Sequence, residues 1–200
     1  MRARTILLVG ALATSTALTG CTTSANGTPR PAPGIDSTVS TSDGPESGDN
    51  EAPRVENPLN AGPFLAAPCS TLTPSQLATF AVNPPGNGRD GDGLGPRCAW
   101  HGATGSIGVG FLTRNKGGLS DTYRGRDLEA YFEETTVDGY PAVFVDAIDS
   151  RPRGNCGLVV GISDTLTFDV NETGRLDAAG ACARVKQVAA AVIATMNAGS

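Results

Sequence analysis

The chain has 200 residues, with 15 Lys and Arg against 20 Asp and Glu, a formal net charge of −5 and a pI near 4.8. So acidic a chain has no broad attraction to nucleic acid, whose binders present basic surfaces, and would not adhere unaided to anionic lipid. Its length is enough for one domain of ordinary size with a genuine core.

Arg2 and Arg4 precede the apolar run from Ile6 to Ala13, the charged-then-apolar layout of an export signal. The run is shorter than the about 20 apolar residues that a spanning helix needs, so it is expected to be removed. Leu18-Thr19-Gly20-Cys21 resembles the bacterial lipobox, an apolar residue and two small ones ahead of a cysteine whose thiol is diacylated before cleavage. Residues 1–20 are then the signal peptide and Cys21 the lipidated N-terminus. The alternative is an ordinary cut after Ala11-Leu12-Ala13, but that site precedes the end of the apolar run. Cysteine parity favours the lipid: of Cys21, Cys69, Cys98, Cys156 and Cys182, assigning Cys21 to the membrane leaves an even number. The expected location is the cell membrane, lipid-anchored, facing outside the cytoplasm.

Loss of Arg2 and Arg4 leaves 13 basic against 20 acidic residues, a balance of −7. Residues 21–64 comprise the lipidated Cys21 and a stretch rich in Ser, Thr, Pro, Gly and Asn, too poor in large apolar groups to offset its chain entropy. It reads as a disordered tether of about 35–40 Å root-mean-square span. Residues 65–200 form the folded domain.

Within that domain, Thr73, Pro74 and Gln76 form a capping-box pattern that predicts a short helix over about 74–81. The run from Asn83 to Arg97 is turn chemistry throughout and reads as a long exposed loop. Two alternating runs around Gly102-Ala103-Thr104-Gly105 predict a β-hairpin, with Ile107, Val109 and Phe111 on one face. Weak helical signals follow over Gly118 to Arg126, with Ser120 and Asp121 as caps. Asp138-Gly139 marks a second hairpin. Two further strands flank Asp164, the second alternating Leu166, Phe168 and Val170 with Thr165, Thr167, Asp169 and Asn171, which implies a solvated sheet face. The tail from Leu176 to Met196 spaces Val185, Val188, Ala189, Val192, Ile193 and Met196 as an amphipathic helix. The expected class is α+β: an antiparallel sheet of about six strands in hairpins, covered on one side by a short N-terminal helix and a long C-terminal one.

Four cysteines allow three connectivities. The local pairing of Cys69 with Cys98 and Cys156 with Cys182 is preferred, each bridge contributing about 3–4 kcal/mol in the chain-entropy model. A metal site is disfavoured by the single histidine and the lack of any C-x-x-C spacing.

Leu18-Thr19-Gly20-Cys21, the Pro68-Cys69 opening with Leu72-Thr73-Pro74, Cys98-Ala99-Trp100, Gly139-Tyr140-Pro141-Ala142-Val143, and the later Cys156 and Cys182 together resemble a family of actinobacterial cell-envelope lipoproteins of unknown function. The resemblance implies a lipid-anchored, disulfide-bonded α+β domain and carries no reaction or ligand with it.

Chemistry-bearing candidates are few. His101 beside Trp100 lacks a nucleophile elbow for any serine. Asp90 and Asp92 lie in a glycine-rich run that fails the calcium-loop spacing at Leu94 and His101. Glu133 with Glu134, and Asp146 with Asp149, are the carboxylate pairs that glycoside hydrolysis would need. Trp100, Phe111, Tyr140, Phe144 and Phe168 would line either an apolar groove or the core. The expected role is therefore binding rather than catalysis, without metal or cofactor, with an envelope protein, lipid or glycan as partner and the membrane reached through Cys21. A carboxylate-based hydrolase and a structural accessory subunit are the alternatives.

Overall fold

A computed structural model describes residues 52–91 and 93–199; Cys21, the export signal and most of the expected tether lie outside the described residues. Seven strands, β1 (Val82–Asp90), β2 (Pro96–Gly102), β3 (Gly105–Phe111), β4 (Tyr131–Val137), β5 (Tyr140–Asp146), β6 (Asn155–Ser163) and β7 (Leu166–Gly174), build one antiparallel sheet. Their order is β1-β2-β3-β7-β6-β5-β4. The chain lays down the β1-β2-β3 meander, crosses to the far edge through α3 (Leu119–Arg124), and returns strand by strand until β7 pairs with β3.

The hairpins follow from local chemistry. Asp138 and Gly139 have φ of 48° and 85°, the pair of positive values that a two-residue turn between twisted strands demands. Period-2 burial then puts Trp100, Ile107, Val109, Phe111, Leu158, Val160, Phe168 and Val170 on one face, each essentially sealed from solvent. The long helix α4 (Ala178–Ala198) lies on this face and buries Val185, Val188, Val192, Ile193 and Met196 against it. Each such side chain contributes about 1.5–3 kcal/mol of transfer free energy. Asp177 starts α4 by accepting the Gly180 N–H at 2.7 Å.

The short helix α2 (Pro74–Thr79) carries the expected capping box: Thr73 Oγ1 accepts from Gln76 N, and Gln76 Oε1 accepts from Thr73 N. Gln76 also reaches α4, donating to Ala191 O at 3.0 Å. One helix precedes it, α1 (Gly62–Ala66), followed by a 3-10 turn at Pro68–Thr71.

Five expectations require correction. The run from Asn83 is not a loop up to Arg97: β1 occupies most of it, which makes seven strands where about six were expected. Its prolines and glycines suit an edge strand, and its pairing with β2 is irregular between Asn83 and Asn87, where Pro84 and Pro85 sit. A Cβ on Gly86 would fall 2.3 Å from Cys98 Sγ and 2.5 Å from Trp100 Nε1, so the missing side chain lets this strand lie over the tryptophan.

Residues 52–64, assigned to the tether on composition, join the fold. Ala52, Val55, Ala61 and Phe64 are buried, and Leu59 N donates to Ile162 O of β6 at 2.9 Å. The alternate face of β7 is solvated only in part, since Thr167 and Asp169 are buried while Asn171 is exposed. α3 and the segment at Ala52–Val55 cover that part of the sheet, so the helices do not all lie on one side, as the pattern of elements had implied. Finally, α3 starts from Gly118, at φ 55°, and Ser120 and Asp121 sit inside its first turn rather than capping it.

Candidate functional site

Cys69 bonds Cys98 and Cys156 bonds Cys182, with Cα atoms 5.0 and 5.1 Å apart. The first bridge ties the Pro68–Thr71 turn to β2, the second β6 to the first turns of α4. Both therefore hold the helix-packed layer. Lipidation at Cys21 falls outside the described residues.

The carboxylate pairs do not converge. Glu133 and Glu134 are successive residues of β4 and point to opposite faces of the sheet. Glu133 accepts from Tyr131 Oη, whereas Glu134 stands beside Tyr123 on the other side. Burial, then the Glu134 charge and hydrogen bond, push the Tyr123 phenol up to about 12. Asp146 accepts from the N–H groups of Ile148 and Ser150, and Asp149 grips Arg151 with both oxygens at 2.7 Å. Those acids organise the turn after β5. Asp90 ends β1, Asp92 lies outside the described residues, and no group of three metal-ligating side chains occurs among the described residues. Trp100, Phe111 and Phe168 are core, at 1% exposure or less. Phe144 is buried at 8%, and Tyr140 donates its hydroxyl to Asn57 O at 3.0 Å.

Two buried ionic clusters were not among the expected sites. On the helix-packed face, Glu172 of β7 is 1% exposed, with Oε2 2.9 Å from Arg184 Nε of α4. Arg184 also donates to Phe80 O, tying the end of α2 to this pair. Gly105 and Gly174 make room for the carboxylate, since a Cβ on either would come within 2.9 Å of its Oε1. Burial raises the Glu172 pKa, and the Arg184 charge opposes that rise. A signal existed in the sequence: Glu172 continues the apolar stripe Leu166, Phe168, Val170, where an acid needs a partner.

On the outer face, Asp169 Oδ2 accepts from Arg97 Nη2 at 3.0 Å and from Asn171 Nδ2. The cluster stands over Gly110, where a Cβ would fall 2.6 Å from Asp169 Oδ1. Burial again dominates and raises the Asp169 pKa.

Beyond this cluster the outer face is open. Gly108 lies at its centre, opposite Ala99 on β2 and Asn171 on β7, and a Cβ added there meets nothing within 4 Å. The next row holds His101, Ser106 and Thr173, register neighbours across three strands, with Ser106 Oγ and Thr173 Oγ1 hydrogen-bonded at 2.6 Å. A shallow hollow of about 470 Å³ adjoins this row, with Arg175 in its lining. Its polar groups are hydroxyls, backbone amides, one imidazole and one guanidinium, a set suited to hydrogen bonding.

The other half of the outer face is covered by the segment 52–57. Ala52 packs with Leu119, Tyr123, Val143 and Val159. Clefts of about 220 and 520 Å³ flank the segment on its two sides.

No curated protein and no solved structure matches this chain. A family model described as a protein of unknown function, DUF3558, matches residues 16–195, nine-tenths of the sequence. The match takes in every strand, the helices but for the last three residues of α4, and all four bonded cysteines, and the chain belongs to the DUF3558 family.

Proposed function

We propose that this chain is an extracytoplasmic binding module, held to the membrane by lipid on Cys21, that meets an envelope glycan on the open half of its outer sheet face. The observation that carries the reading is Gly108. A glycine inside a strand weakens it and leaves no side chain to pack, and here no steric neighbour requires one. Close approach of a flat ligand is the remaining use for so bare a position. Asn171, Ser106 and Thr173 surround it with neutral donors and acceptors, which match the hydroxyls of a sugar better than they match a phosphate or a charged peptide.

Gly108→Tyr tests this directly, because it fills the floor without disturbing the core. Binding is read by co-sedimentation with cell-wall material, before and after periodate cleavage of its vicinal diols. Loss of co-sedimentation on periodate treatment and in the variant, with the melting temperature not lowered, is the expected result. Binding insensitive to periodate would point to a protein partner, and binding insensitive to the substitution would remove this face from consideration. Anchoring is checked separately: Cys21→Ala should move the protein from the membrane fraction to the soluble one.

A further inference from the structure

The segment at residues 52–57 is held by side chains of α3 and of the β6–β7 turn. Its Ala52 N–H donates to Ser120 Oγ at 3.3 Å, and its Val55 N–H to Asp164 Oδ1 at 3.1 Å. Arg54 places Nη1 3.1 Å from the other oxygen of the same Asp164, in the turn between β6 and β7. Ala52 is 4% exposed and Val55 9%, the latter 3.4 Å from the position a Cβ would take on Gly161. One carboxylate thus reads both a backbone N–H and a guanidinium, while two shallow apolar seats read a small and a β-branched side chain.

This is how an extended peptide is recognised: main-chain hydrogen bonds set affinity and alternate pockets set specificity. Separate clefts open beside the segment, one lined by Gly117, Leu119 and Ser120, the other by Tyr123, Glu134 and Pro141. Its ion pair is largely solvated, with side chains 74% and 50% exposed, a class of interaction that holds weakly.

We propose that residues 52–57 are a resident peptide in a recognition groove between α3 and the β6–β7 turn, displaced by a partner's extended segment of the same chemistry: small, then cationic, then β-branched. The proposal is independent of the glycan reading, which concerns the other half of the face.

The test uses the full chain and a fluorescein-labelled peptide of residues 50–60 as probe. Val55→Asp sets a carboxylate against Asp164 and expels the resident segment, so the variant should bind the peptide by anisotropy at least tenfold more tightly than wild type. Adding Asp164→Ala should abolish that gain. A folded Val55→Asp variant, judged by native Trp100 emission, that gains no affinity overturns the proposal. Should the variant fail to fold, hydrogen exchange of the wild type decides: the amides of Ala52 and Val55 should exchange at least tenfold faster than those in the centre of β6. Equal protection would make the segment an integral part of the core and overturn the proposal.

Discussion

Replacing Arg184 with Met leaves the Glu172 carboxylate, 1% exposed, without its cation beneath α4. Breaking a buried pair by removing one partner costs about 3–5 kcal/mol, because the survivor stays desolvated. For a domain of this size that corresponds to a fall in melting temperature of about 6–20 °C. The cost should depend on pH with a definite sign. Burial raises the Glu172 pKa above its ordinary 4.5, so the folded state holds the proton more tightly and its contribution declines as pH rises through the window above 4.5. Loss of Arg184 removes the charge that opposes this rise and widens the window. The destabilisation should therefore be large at pH 7 and shrink towards pH 4, where Glu172 is protonated in both states. Urea unfolding followed by Trp100, the single tryptophan and 1% exposed, measures it at both pH values. The double variant Arg184→Met, Glu172→Leu should recover most of the loss, since an apolar replacement of a buried pair is often neutral or stabilising. A loss below about 1 kcal/mol at pH 7, or an equal loss at both pH values, would refute the account of this pair as buried and mutually dependent.

Removing the Cys156–Cys182 bridge as the double alanine variant should cost about 3.5 kcal/mol, given its sequence separation of 26, and reduction of the wild type, which also opens Cys69–Cys98, should cost about twice as much in denaturant titration. Gly118→Ala should lose about 1–3 kcal/mol, because φ there is 55° and the new Cβ would lie 2.7 Å from Asp164 O. Gly108→Ala, with open space above it, should instead gain about 0.4–1 kcal/mol; a comparable loss at both glycines would contradict the geometry of the open face. Thr73→Ala removes the hydroxyl half of the α2 capping box and should cost about 1 kcal/mol by thermal or urea unfolding.

Periodicity and turn chemistry made β2 to β7, α2 and α4 legible in the amino-acid sequence, because alternation, Asp138-Gly139 and the Thr73–Gln76 box act over a few residues. The local pairing chosen for the four cysteines is also the one the fold makes. Interactions over long separations were not legible. Val82–Asp90 becomes a strand because β2 and its tryptophan offer it an edge, against its own proline and glycine content. Ala52 and Val55 are buried because α3 and β6 present seats for them, which the polar composition around them concealed. Asp169 and Asn171 alternate identically along β7, yet one is buried with Arg97 and the other faces solvent, since coverage of a sheet face is decided by what crosses it. The bare floor at Gly108 has the same origin: a glycine's neighbours across β2 and β7 exist only once the sheet closes between β3 and β7. Sequence by itself determined most of the elements, through interactions between near neighbours; the tertiary structure decided the edge strand β1, which faces are sealed, which charges must pair and which surface is left to meet a partner.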